Sequence, residues 1–111
     1  MLINERKFDI RVWALLTQNY EVLFFKEGYL RFSSFKYSTK HHNNPFIHLT
    51  NNSVQKHSAE YNEESGNQMY LSDMKNYMPE QNYLKLQAKI REVIWISMIA
   101  ARRKINVNAR K

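Results

Sequence analysis

Lys7, Asp9 and Arg11 stand at every second position of a segment whose intervening residues, Phe8 and Ile10, belong in a core. On an extended chain that spacing sets the three charges on one face, and ions taken out of water without partners cost several kcal/mol. Two arrangements satisfy them. They form an exposed ion pair of little worth on a solvated edge strand, or they meet a ligand. Arg31 follows in the run Tyr29-Leu30-Arg31-Phe32-Ser33. A guanidinium there can grip a carboxylate in a bidentate fork, or it can snorkel to the surface as a solvated cation. The third polar island is His48-Leu49-Thr50-Asn51, where hydroxyl and amide groups face a ligand or only close a local turn.

The elements that must position these groups can be read from periodicity. Phe8, Ile10, Val12, Ala14 and Leu16 alternate with Asp9, Arg11, Trp13 and Leu15, so Asp9 and Arg11 point the same way. Gln18-Asn19 makes a turn into residues 21–25, and Glu27-Gly28 makes another into residues 29–33. The three strands read as an antiparallel meander that brings Arg31 near the first. Residues 37–44, with Lys40, His41 and His42, suit an exposed loop closed by Pro45, and a short strand or turn follows through residues 46–50. Residues 51–67 are polar, with Glu60, Glu63 and Glu64 ahead of Gly66, and are expected to form a mobile loop.

Ser72-Asp73 is expected to cap a short helix ending near Pro79. Beyond it, Leu86, Ile90, Val93, Ile94, Ser97, Met98 and Ala101 recur at three- and four-residue intervals, which predicts a long amphipathic helix over 81–104 with one face buried. Arg102, Arg103 and Lys104 fall in its last turn, at the negative end of the helix dipole. The expected fold class is α+β, a short antiparallel sheet followed by a long helix.

The 111 residues allow one modest core, and two Gly, two Pro and 14% aromatics read as packed and globular. Without cysteine there are no disulfides, thiolate zinc sites or Cys nucleophile. Asn4, Glu5, Arg6 and Lys7 follow too closely on Met1 for a signal-peptide core, and the longest apolar stretch, 93–101, is too short for a membrane span, so the expected setting is cytoplasmic. The net charge of +7 favours acidic partners without choosing among them. Adjacent His41 and His42 would point to opposite sides of an extended segment, and Glu60, Glu63, Glu64 and Asp73 read as solvated, so no metal ligand is assigned.

Taken together, Arg6-Lys7-Phe8-Asp9-Ile10-Arg11-x-Trp13, then Lys26-Glu27-Gly28-Tyr29-Leu30-Arg31, then His48-Leu49-Thr50-Asn51-Asn52-Ser53-Val54-Gln55-Lys56 resemble the central segment of the tubulin tyrosine ligase family. The resemblance runs from about Arg6 to Tyr77 and more loosely to the end. It implies part of an ATP-grasp fold, in which ATP activates a carboxylate as an acyl phosphate that an amine attacks. It further implies that Lys7, Asp9, Thr50 and Asn51 contact ATP. A lysine can pair with phosphate or hydrogen-bond the base, and a carboxylate can hold ribose hydroxyls. Arg31 and Ser53 match positions that hold the incoming free amino acid, and Arg11 a position lining the path of the acidic C-terminal tail of tubulin.

By the same resemblance, glutamate-adding members carry a lysine near Gly66-Asn67-Gln68-Met69, and this chain has none between His57 and Met74. Glycine or tyrosine is therefore the expected substrate. The family's carboxylates and asparagine for magnesium are expected beyond Lys111 and its other phosphate-gripping lysines before Met1, so residues 1–111 are read as a partial domain, inactive alone. The implied setting is the cytoskeleton or cilium. The competing reading is a small basic, non-catalytic module for nucleic acid or an acidic protein tail, drawing on the net charge and on Phe32, Phe35, Lys36 and Tyr37. Nucleic acid is the disfavoured partner, because Lys7, Asp9 and Arg11 alternate in sign and no continuous basic stripe emerges.

Overall fold

The computed structural model describes residues 1–62 and 66–106, the side chain of Arg103 excepted. The chain divides into two compact units, one of residues 1–13 and 25–77, the other of residues 14–24 and the chain from Met78 on. Glu63 and Glu64 lie outside the described residues.

The first unit is built on a three-stranded antiparallel sheet of β1 (Arg6–Arg11), β4 (Tyr29–Lys36) and β5 (Gln68–Tyr70), in the order β1-β4-β5. β4 sits in the middle, and its inward positions carry the core: Leu30 and Phe32 are buried together with Ile47, Leu71 and Met74. Phe8 packs on Phe32 with ring centroids 5.7 Å apart. A bulge between Arg6 and Phe8 shifts the register, after which Phe8 faces Phe32, Asp9 faces Arg31 and Arg11 faces Tyr29. The alternation from Phe8 therefore persists through β1, and it sets Asp9 and Arg31 on one side of the sheet as expected.

Beyond Arg11 the anticipated continuous strand breaks. Ala14–Leu16 forms β2, which pairs only with β3 (Val22–Phe24) as a separate hairpin in the second unit. The predicted turn lies between them, closed by Tyr20 N–H to Thr17 O (3.0 Å) and Thr17 N–H to Glu21 O (2.9 Å), with Tyr20 at φ 62°. The meander is thus two sheets. β4 pairs with β1, and its other neighbour is β5, a strand the sequence did not announce.

Residues 46–50, expected as a strand or turn, instead begin in a one-turn helix, α1 (Pro45–His48). The local chemistry explains it: Asn44 Oδ1 accepts from Phe46 N–H at 2.9 Å, and Pro45 at the first helical position brings its fixed φ and lacks the N–H that would go unpaired. The supposed mobile loop likewise contains a helix, α2 (Asn52–Gln55).

Ser72 and Asp73 do not cap a helix. They lie inside a 3-10 helix, Leu71–Asn76, that follows Tyr70 without a side-chain cap. The capping group comes from far along the chain: Glu27 Oε1 accepts from Ser72 N–H at 3.2 Å and from Gly28 N–H at 3.0 Å.

In the second unit α3 (Glu80–Asn106) realises the predicted long helix and extends it at both ends. Leu86, Ile90, Ile94, Met98 and Ala101 form the half-buried stripe. Val93 and Ser97, read into the same stripe, are exposed, and Ser97 turns its hydroxyl back to donate to Val93 O at 2.8 Å. Trp95, Ile96 and Ile99 are each more than half exposed, at 53%, 56% and 54%.

Candidate functional site

Cross-strand pairing of β1 with β4 places the Arg31 guanidinium directly on the Asp9 carboxylate. Nε donates to Oδ1 at 2.8 Å and Nη2 donates to Oδ2 at 2.5 Å, a parallel two-bond fork. The side chains are 19% and 36% exposed, so the pair sits at the edge of solvent. The hydrogen bonds from Arg31 to Asp9, and after them the charge of that carboxylate, outweigh desolvation and hold the guanidinium more firmly in its charged form. Two residues implied to hold different ligands are thus bound to each other.

Lys7 lies two residues before Asp9 and reaches to the helical segment, where Nζ donates to His48 O at 2.7 Å. An ammonium has three donors, so this contact leaves others for an anion. The single Ser33 Oγ–H is shared between Phe35 O at 3.0 Å and Lys7 O at 3.3 Å, behind the lysine. Arg11, opposite Tyr29, is exposed at the end of the strand. Lys7 and Asp9 accordingly find partners elsewhere than in one another, and Arg11 stands in solvent.

Thr50 and Asn51 join α1 to α2. Thr50 is buried, 7% exposed, whereas Asn51 is exposed and stands at the N-cap of α2 without a side-chain bond to that helix. Its carbonyl accepts from Val54 and Gln55 N–H, both at 3.0 Å, leaving the amide side chain for other use. Ser53 is exposed on α2 and makes no hydrogen bond to Arg31. Lys7, Asp9 and Arg31 are therefore brought together by the sheet, and Thr50 and Asn51 are tied to them through His48. Ser53 stays on its own helix.

Two buried amides stand within the quoted motifs, where the sequence gives them no role of their own. Gln55, 1% exposed, accepts on Oε1 from Ser34 N–H (2.8 Å) and Ser34 Oγ–H (2.6 Å), and donates from Nε2 to Phe46 O (3.3 Å) and to Leu49 O. Asn67, 2% exposed, donates to Phe32 O at 3.0 Å and Ser34 Oγ at 3.2 Å, and accepts from Asn62 N–H at 2.8 Å. Arg6 was also missed. Its guanidinium lies 5.2 Å over the Phe32 ring and donates to Gly66 O, and burial lowers its pKa from the usual arginine value. It borders a cleft of about 620 Å³ with Tyr29, Phe32, Gln68, Tyr70 and Tyr77. None of the candidate residues lines that cleft.

The donor set decides which groups fit. An ammonium with spare donors, tethered to His48 O, and an exposed amide three residues further along the chain suit a polyanionic, hydroxyl-rich ligand such as a nucleotide. Among the described residues no group of three or more His, Asp or Glu could hold a metal ion. Among these residues no helix is long and apolar enough to cross a membrane.

The chain is α+β, with an ion-paired sheet face tethered to a short helical turn, and comparison with known proteins places it. The model of the tubulin-tyrosine ligase family matches residues 1–111, and the chain belongs to that family. It is 39% identical over 101 residues to tubulin glycylase 3D of Tetrahymena thermophila, covering 85% of this chain and 10% of that protein. It is 48% identical over 59 residues to tubulin monoglycylase TTLL3 of Danio rerio, covering 51% of this chain and 8% of the relative. With tubulin polyglutamylase TTLL5 of Mus musculus it shares 33% over 115 residues, 91% of this chain and 9% of that one. The chain spans about a tenth of the length of these curated relatives.

Proposed function

We propose that this chain is the central segment of an ATP-grasp domain in an ATP-dependent ligase that adds an amino acid, glycine or tyrosine in preference to glutamate, to tubulin. The observation that carries the reading is the Asp9–Arg31 fork together with the Lys7–His48 tether, which join the first family motif to the second and to the third. Support for glycine comes from the glycylase relatives, at 39% and 48% identity. The 33% identity to a polyglutamylase keeps glutamate as the competing substrate to be tested.

In this reading Lys7 offers its remaining N–H donors to the nucleotide, and Asn51 and Thr50 complete the nucleotide side. Asp9 is shared: its carboxylate orients Arg31 while its remaining lone pairs face the ribose. Arg31 holds the carboxylate of the free amino acid and Ser53 assists. Arg11, exposed and cationic, draws in the acidic C-terminal tail of tubulin, aided by the net charge of +7. ATP, when bound, supplies the phosphoryl group that activates the acceptor carboxylate, and magnesium is held by residues outside this chain. Binding the amine and the activated acid in one place makes an otherwise bimolecular step effectively intramolecular. The implied setting is the cytoplasmic cytoskeleton or cilium.

The test uses the full gene product carrying this chain, with magnesium, ATP, tubulin and labelled glycine, tyrosine or glutamate in separate reactions. ATP-dependent incorporation of glycine or tyrosine, lost in Arg31→Ala, is expected. Preferential glutamate incorporation overturns the substrate assignment, and no incorporation of any of the three overturns the ligase reading.

A further inference from the structure

We infer that Gln55 is a positioning residue for the nucleotide side of the site, acting with Ser34 and Asn67 as a buried amide relay that sets the Thr50–Asn51 turn against the central strand. The inference deepens the ligase reading and rests on it. Gln55 is sealed from solvent, and both halves of its amide are in use: Oε1 takes the N–H and hydroxyl of Ser34, and Nε2 gives to the carbonyls of Phe46 and Leu49. The two carbonyls belong to the segment that delivers the chain to Thr50. Lys7 takes the carbonyl between them, that of His48. The peptide entering the turn is therefore clamped from two sides, by a strand lysine and by a core amide.

The relay continues past β4. Ser34 Oγ, donating to Gln55, accepts from Asn67 Nδ2, and Asn67 in turn holds Phe32 O and Asn62 N–H. Three side chains thus fix one turn and the approach to β5 to the same central strand. The chemistry demands an amide at position 55. A carboxylate of the same shape could still accept from Ser34, but it would press lone pairs onto the carbonyls of Phe46 and Leu49 in place of the two bonds that Nε2 gives them. Arg31 is held independently, by Asp9 on the opposite strand. Disturbing Gln55 should consequently move the nucleotide groups and the neighbouring Ser53 on α2, and spare Arg31, the group that grips the amino acid.

The experiment measures KM for ATP, KM for the incorporated amino acid, and kcat, in the full gene product with Gln55→Glu and with Ser34→Ala. The second variant is nearly isosteric and leaves the two Nε2 bonds intact, so it serves if Gln55→Glu does not fold. The expected result is a rise in KM for ATP of about tenfold or more for Gln55→Glu and a smaller rise for Ser34→Ala, with a much smaller rise in KM for the amino acid, which Arg31 grips, since small misplacements of binding groups carry large rate costs. A kcat that falls with the folded fraction while both KM values hold overturns the inference and leaves the ligase reading intact. So does an equal rise in both. Wild-type protein that binds no fluorescent ATP analogue and incorporates nothing overturns both.

Discussion

Asp9 and Arg31 are cross-strand partners joined by two hydrogen bonds of 2.8 and 2.5 Å, so the charge that would hold a ribose and the charge that would hold a carboxylate neutralise each other in the free protein. Under the proposed function an incoming carboxylate would meet a guanidinium with its orientation already set and its remaining N–H groups still to give. Preorganisation of this kind lowers the entropy lost on binding.

The pair should show measurable coupling. In urea unfolding, Asp9→Ala and Arg31→Ala are each expected to destabilise by about 1–3 kcal/mol, and the double variant by less than their sum, with a coupling of about 1 kcal/mol or more. Strict additivity would show that the fork contributes nothing beyond its two separate side chains.

Gly28 is packed where no side chain fits. A Cβ there would stand 2.5 Å from Arg11 O, a backbone atom that cannot swing aside, and 3.2 Å from the Val12 side chain. Gly28→Ala is expected to cost about 1–3 kcal/mol by overpacking. At Gly66 a Cβ would meet the Arg6 guanidinium only at 3.7 Å, so Gly66→Ala should stay within about 0.5 kcal/mol. Thermal melts of the two variants compare them directly, and similar melting temperatures would contradict the steric argument.

Acid should weaken the protein partly through Glu27. Desolvation pushes its carboxyl pKa up, but hydrogen bonds from Gly28, Ser72 and Leu71 together outweigh it, and the net shift is downward. With a folded pKa below the unfolded one, its contribution is full above the unfolded carboxyl pKa of about 4.3 and is lost as pH falls through the folded value. An amide at this position has no such titration, so Glu27→Gln should lose less stability between neutral pH and about pH 3 than the parent does. Urea midpoints across that range decide it, and parallel curves would remove Glu27 from the account.

Arg11 should be dispensable for folding and not for partner capture. It is exposed at the end of β1, so Arg11→Glu is expected to change stability by no more than about 0.5 kcal/mol. Under the proposed function the same change weakens tubulin binding several-fold and flattens its salt dependence. Unaltered binding at low salt would take Arg11 off the tail path.

How much of this was legible depends on whether a pattern exists to be read. Period-two alternation placed Asp9, Arg11 and Arg31 correctly, because one side of the sheet is apolar and a slip would bury the charges. The break after Arg11 left no trace, since Ala14, Leu15 and Leu16 continue the alternation while pairing with a different strand. α1 and α2 are single turns, too short for a helical period, and Pro45 read as the end of a loop when it begins a helix. Gln55 and Asn67 sit among polar neighbours in a stretch that reads as solvated. Only their partners, more than twenty residues away in sequence on β4, make them interior. The 3-10 helix was misjudged for a similar reason, its cap arriving from Glu27.

α3 leaves Val93, Trp95, Ile96 and Ile99 more than half exposed in the native chain. An environment-sensitive dye such as ANS should therefore fluoresce with residues 1–111 folded by themselves, and a phenyl resin should retain them. Dye brightness, the usual alarm for a molten state, would here report an intact helix, and the quality of a preparation must be judged by the sharpness of its unfolding transition.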